Sequence, residues 1–330
     1  MFIPILLLAL GFVLLIKGGD WFVDGATGIA RRFHLPELLI GATVVSIGTT
    51  LPEVMVSAGA ALQGSGSIAY GNAIGSIICN ISLIAAITVA IKPGPAARKS
   101  MLVPVAFFFG TALMYCGVAY LTGYFSRATG IVLLTVFVFY MVMTVLRMKS
   151  SAASPETATG EDHVVESAKE GTKDSLLKDI LLLVLGAALI AVGADLLVDN
   201  AILIAEKLGI SEKVIGLTIV ALGTSLPELV TAITSLIKGH SSLSLGNIIG
   251  ANLCNLGLVS GTAISISPFE IPVSSMMAGI NSSLVLDIPV MLAVMAILTL
   301  PTLVREKLSR WQGILLLGIY AAFCVLQFVL

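Results

Sequence analysis

Charge is scarce in this sequence. Asp, Glu, Lys and Arg together make up 11% of its 330 residues, against roughly 25% in a soluble domain. A globule in water would lack the polar surface to cover itself. A disordered chain or a nucleic-acid binder would need still more charge. Histidine is almost missing: the three are His34, His163 and His240, and all fall in expected loops. No imidazole is then available inside the apolar segments to activate a serine or suit a softer metal. That excludes an intramembrane serine hydrolase, and no enzymatic activity is expected. The four cysteines, Cys79, Cys116, Cys254 and Cys324, lie within apolar runs. They read as small packing residues rather than a disulfide framework. The net charge of −1 carries no information about partners.

Hydrophobic residues are abundant, at 57% with a mean hydropathy of +1.06. Runs such as MFIPILLLALGFVLLI do not alternate apolar and polar positions, so the spans are helices and not barrel strands. The start lacks a charged leader and a small-residue cleavage site, so the first span reads as retained. Hydropathy gives ten spans, near 2–29, 35–62, 67–91, 101–121, 127–147, 176–206, 210–237, 242–266, 281–301 and 311–329. The fold class expected is an all-α polytopic membrane protein. Residues 148–175, MKSSAASPETATGEDHVVESAKEGTKDS, are polar and poor in large apolar side chains. They read as a flexible linker between a five-helix repeat at 1–147 and another at 176–330.

The halves are copies. GATVVSIGTTLPE (41–53) and GLTIVALGTSLPE (216–228) share 8 of 13 positions at an offset of 175. GNAIGSIICN (71–80) and GNIIGANLCN (246–255) share 6 of 10 at the same offset. Asp20 and Asp24 match Asp195 and Asp199. A constant offset over this length is the mark of duplication. Five spans per copy is odd, so the second copy enters the membrane from the opposite side. That is the inverted repeat of many secondary transporters. With the linker in the cytoplasm, 14 Lys and Arg fall inside and only Arg127, Lys207 and Lys213 outside. The positive-inside rule then places both termini outside.

A charged side chain near the bilayer centre costs at least about 2.5–3.5 kcal/mol. Glu53 and Glu228 sit inside apolar spans at equivalent positions, and inversion brings them together near the midplane. Two carboxylates in low dielectric repel unless a cation or protons intervene. A cation site meets that demand; buried protonated acids are the structural alternative. Thr43, Ser46, Thr50, Glu53 and Ser57 form a polar stripe on the second span. Thr218, Ser225, Glu228 and Ser235 repeat most of it. Asn72, Ser76 and Asn80 mark the third span, and Asn247, Ala251 and Asn255 the eighth. Lipid cannot satisfy such stripes, so they should face one another. Pro52 and Pro227 lack an N–H, so the carbonyls of Gly48 and Gly223 lose a helical partner. The break expected there also loosens the carbonyls of Thr49 and Thr224. The resulting ligand set is all oxygen and suits hard cations such as Ca²⁺ and Na⁺.

These paired motifs, GTTLPE with GNAIGSIICN and GTSLPE with GNIIGANLCN, resemble the two repeats of the cation/calcium antiporter family, in particular prokaryotic sodium/calcium exchangers. The resemblance covers nearly the whole chain. It implies that Glu53 and Glu228 bind calcium and that the carbonyls of Thr49 and Thr224 complete that site. It implies flanking sodium sites made by the hydroxyls of Thr50, Ser225 and Ser76 and the carbonyls of Ser46 and Ala221. Asn80 and Asn255 would line the centre. The first and sixth spans would be a long tilted pair that slides to switch access. The implied function is Na⁺/Ca²⁺ antiport by alternating access, extruding calcium across the cell membrane. A divalent-cation/H⁺ antiporter is the alternative on the same scaffold. Ca²⁺ and Na⁺ are substrates, no cofactor or nucleic acid is expected, and the chain is expected to work as a monomer in the bilayer.

Three departures from relatives stand out. Ala251 stands where some relatives place a serine hydroxyl, which by the resemblance implies one ligand fewer at a flanking sodium site. Asn255 stands where some relatives place an Asp associated with potassium co-transport in one branch, so the resemblance implies no potassium dependence. Gly75 stands where the calcium/proton branch has a Glu. Among other charges, Lys17 lies three residues before Asp20 and is placed for a local salt bridge. The four aspartates read as helix-end or vestibule charges, and Asp287 as interfacial. Trp21 and Trp311 read as interface anchors.

Overall fold

Long apolar segments have no water to satisfy their backbone in a bilayer, so they close their hydrogen bonds internally as helices. The computed structural model describes residues 2–153, 173–208, 223, 225–273, 276–277 and 279–329. The expected linker falls mostly outside the described residues, and so does the first half of the expected seventh span. The described helices are α1 (Phe2–Arg32), α2 (Glu37–Leu62), α3 (Gly66–Ile91), α4 (Arg98–Thr122), α5 (Arg127–Ala153), α6 (Lys173–Lys207), α7 (Leu226–Ile237), α8 (Ser241–Ile266), α9 (Ser283–Arg305) and α10 (Arg310–Val329). All but α7 are long and apolar enough to cross a membrane.

Helices α1 and α6 form a closely packed pair. A Cβ on Gly11 would lie 2.8 Å from the Gly193 carbonyl oxygen, and one on Gly18 would lie 2.9 Å from that of Gly186. Only glycine fits such contacts between membrane helices. Gly11 and Gly18 are the repeat equivalents of Gly186 and Gly193, and they meet crosswise. The two helices therefore run antiparallel about a pseudo-twofold axis, as inverted repeats require. With 31 and 35 residues, α1 and α6 would be about 46 and 52 Å long. Both exceed the roughly 30 Å hydrocarbon layer and must tilt within it.

The remaining helices are also exchanged between repeats. Helix α8 packs on α2, and α7 packs on the second half of α3. Helices α4 and α5 cover α8, while α9 and α10 cover α3. Loops of the two halves are stitched together as well. Tyr124–Phe125 pairs antiparallel with Phe269–Glu270, and Pro95 bridges Lys307. Gly64 and Gly239 end α2 and α7 at equivalent positions with φ of 75° and 87°, a left-handed conformation that favours glycine.

Three details depart from the sequence expectation. Helix α2 is not broken at Pro52, which lies inside a continuous turn-by-turn helix from Ser46 to Leu62. Proline's fixed φ is itself helical, so the ring removes one hydrogen bond without ejecting the chain. Asp20 and Asp24 pair not with the nearby Lys17 but with Lys238, at 3.4 and 2.8 Å. Asp287, expected near the interface, is buried among protein side chains at the start of α9 and accepts a hydrogen bond from Gln327 of α10 at 2.8 Å.

Candidate cation site

The polar face of α2 turns wholly inward. Thr43, Ser46, Thr49, Thr50, Glu53 and Ser57 are all buried, and so are Ser225, Glu228, Thr231 and Ser235 along α7. Ser225 sits just before α7, and Pro227 occupies its first turn, where a missing N–H costs nothing. The equivalent prolines thus act differently, one inside a helix and one opening it.

Hydrogen bonds across the repeats draw these faces together. The Thr50 hydroxyl donates to Glu228 Oε1 at 3.4 Å. Thr50 is one helical turn from Glu53, so the two carboxylates approach from facing helices. The Thr49 hydroxyl donates to Asn247 Oδ1 at 3.3 Å, and Asn247 Nδ2 donates to Thr231 Oγ1 at 2.9 Å. Thr231 in turn donates to the Glu228 carbonyl at 3.0 Å. On the other side, Asn72 Nδ2 donates to the Glu53 carbonyl at 3.1 Å and to Ser57 Oγ at 2.9 Å. Asn80 Nδ2 donates to Asn252 Oδ1 at 3.4 Å. Each glutamate is therefore held from its backbone by an amide network, while Glu53 keeps both carboxylate oxygens unpartnered and Glu228 keeps one.

Helices α3 and α8 widen where they reach this centre. A π-helical turn occupies Asn80–Ala85 in α3 and Cys254–Val259 in α8, within one residue of equivalent positions in the two repeats. The first presses on α7 and the second on α2. A further π-turn at Gly41–Val45 in α2 packs on α8, where Gly250 lets the Ser46 hydroxyl come within 2.6 Å of where a Cβ would stand. Such wide turns recur at functional sites because they displace the backbone ladder locally.

The polar atoms left over are mostly acceptors. Both oxygens of Glu53, Oε2 of Glu228, Oδ1 of Asn80, the Ser225 hydroxyl, and Oδ1 and Nδ2 of Asn255 are buried without a hydrogen-bond partner among the described residues. A buried carboxylate oxygen without a donor costs several kcal/mol. A cation among these oxygens would offset it, and the donor set of carboxylate, amide and hydroxyl oxygens suits Ca²⁺ or Na⁺. Among the described residues no group of three or more His, Cys, Asp or Glu side chains gathers.

The structure brings Thr50 to Glu228 by a direct bond and places Ser46, Thr49, Ser76, Asn80, Ser225 and Asn255 in the buried interior. Thr224 and Ala221 lie outside the described residues. Ser46 donates to the Thr43 carbonyl at 3.1 Å and receives the Cys254 thiol at 3.9 Å, so Cys254 packs beside the stripe. Two residues escape the sequence reading, Thr231 and Asn252. Thr231 is three residues past Glu228 on the same stripe and was within reach of the spacing argument. Asn252 follows Ala251 directly and falls off the four-residue spacing, while its repeat equivalent is Ile77.

A family model described as sodium/calcium exchanger protein matches residues 3–146 and 178–329. The chain belongs to the sodium/calcium exchanger family. It is 31% identical to the sodium/calcium exchanger MaX1 of Methanosarcina acetivorans, with 98% of each chain covered. It is 36% identical to an uncharacterized membrane protein of Methanocaldococcus jannaschii, over 94% of this chain and 93% of that one. Its fold matches the solved sodium-calcium exchanger NCX_Mj with a TM-score of 0.77 at 33% identity, covering 97% of both chains. Family membership accounts for the ten helices in two inverted repeats and for a membrane location.

Proposed function

We propose that this exchanger moves Ca²⁺ and Na⁺ in opposite directions through one central site, with Glu53 and Glu228 as the shared carboxylates. The observation that carries the reading is the convergence of two equivalent glutamates from inverted repeats, fully buried, with three of their four oxygens unpartnered. One Ca²⁺ would neutralise a site charge of about −2, and sodium ions would do so by numbers. An empty site of that charge crosses a bilayer core poorly, which couples the two fluxes. Around the glutamates, Thr50 and Ser225 would supply hydroxyls, Asn80 and Asn255 amide oxygens, and Thr49 and Thr224 backbone carbonyls. Ser76 with the carbonyls of Ser46 and Ala221 would serve the flanking sodium positions. The driving sodium gradient would export calcium from the cytoplasm, with the linker inside and both termini outside, as the Lys and Arg distribution supports.

The test is calcium uptake into proteoliposomes under an outward sodium gradient, an outward proton gradient, or none. Uptake driven only by sodium is expected. Uptake driven by protons and indifferent to sodium would overturn the assignment of the counter-ion.

A further inference from the structure

At one end of the molecule α1 is fastened to α7. Lys238, the residue that ends α7, donates from Nζ to the Asp20 carbonyl at 2.9 Å and lies 2.8 Å from Asp24 Oδ1 and 3.4 Å from Asp20 Oδ1. Helix α7 carries Glu228, so this contact joins the α1/α6 pair to a helix of the candidate site. The same end holds a further salt bridge and a histidine–carboxylate contact. Arg32 of α1 meets Asp179 of α6 at 3.3 Å, and His240 meets Glu37 at the start of α2 at 2.7 Å.

The repeat predicts a matching set at the opposite end, and half of it is missing. Asp195 and Asp199 stand on α6 as the equivalents of Asp20 and Asp24. Both are exposed, and among the described residues neither forms a salt bridge. The equivalent of Lys238 is Gln63, an exposed residue just past α2. The equivalent of His240 is Ser65, and the equivalent of Asp179 is Pro4. The aspartates are present in both halves, but the lysine that faces them in one has a glutamine as its equivalent in the other.

In an inverted-repeat transporter the two access states exchange the environments of the halves. What α1 does against α7 in one state, α6 does against α2 in the other. We propose that Lys238 with Asp20 and Asp24 is an electrostatic latch that favours the access state seen here, and that the opposite state lacks it because Gln63 occupies the equivalent place. The inference rests on exchange by alternating access. It predicts that the two states are unequal in population although the central site is nearly symmetric.

The ratio of half-saturating calcium at the two membrane faces reports that equilibrium, because apparent affinity at a face scales with the fraction of protein open to it. It is measured in uniformly oriented proteoliposomes, with calcium varied on one side at a time. Lys238→Gln should shift the ratio by about threefold, the scale of a partly exposed ion-pair cluster. Asp20→Asn with Asp24→Asn should shift it equally. Gln63→Lys supplies the missing cation to Asp195 and Asp199, so it should shift the ratio in the same direction as Lys238→Gln. The double variant should combine both shifts. Gln63→Lys is an exposed substitution that keeps the test alive if Lys238→Gln fails to fold. Shifts of opposite sign, or an unmoved ratio with exchange intact, would overturn the latch. Absence of sodium-dependent exchange in the unaltered protein would instead overturn the functional reading beneath it.

Discussion

A carboxylate inside an apolar helix is expensive enough that the sequence alone marks it. Glu53 and Glu228 were legible for that reason, and the offset of 175 residues made them a pair. Their backbone supports were less legible. Asn72 and Asn247 lie on readable stripes, but Asn252 does not, because no spacing rule ties it to Asn80. The structure shows it accepting the Asn80 amide at 3.4 Å, which leaves Asn80 Oδ1 without a partner. Asn252→Ala removes that restraint. A buried hydrogen bond contributes about 1 kcal/mol, so half-saturating calcium should rise about fivefold with the fold intact. Calcium-dependent uptake by the variant, with its thermal unfolding as a control for stability, checks this. The partner of Asp20 and Asp24 was illegible for a different reason: Lys17 is close in sequence, whereas Lys238 is brought near only by folding.

At the scale of elements, hydropathy located the spans but not their local geometry. The π-turns at Asn80–Ala85 and Cys254–Val259 have no compositional signature, since each differs from an α-turn only in which carbonyl a given N–H reaches. The uninterrupted passage of α2 through Pro52 was also unreadable, because proline tolerates a helical φ and neighbouring helices decide the outcome. The glycine seam of α1 and α6 makes a sharper claim. In Gly18→Ala the new methyl would lie 2.8 Å from the Ile190 backbone nitrogen and 2.9 Å from the Gly186 oxygen. Backbone cannot yield to it as a side chain would, and overpacking of this kind costs about 1–3 kcal/mol. The variant should unfold at a lower temperature in detergent and exchange ions more slowly. Gly110→Ala is the control: Gly110 is exposed, with nothing within 4 Å of an added methyl. It should be neutral or slightly stabilising, since alanine is the better helix former.

Across the whole molecule, duplication explains why four polar helix faces meet in the interior. Each repeat lends its glutamate helix to the other's asparagine helix, so neither half can complete the centre by itself. The topology follows as a separate expectation. Cysteines introduced as Gly160→Cys and His240→Cys should react only with reagent on the cytoplasmic side, and Ser65→Cys only from outside. Reaction of Gly160→Cys and Ser65→Cys from the same face would contradict the proposed orientation. The central claim is that Glu53 and Glu228 form one cation site and not two independent ones. Titration of purified protein with calcium, counting ions bound per chain, tests it most directly. One calcium per chain is predicted, lost in Glu53→Gln and lost equally in Glu228→Gln while both variants stay folded. Retention of a calcium site by either single variant would contradict the account.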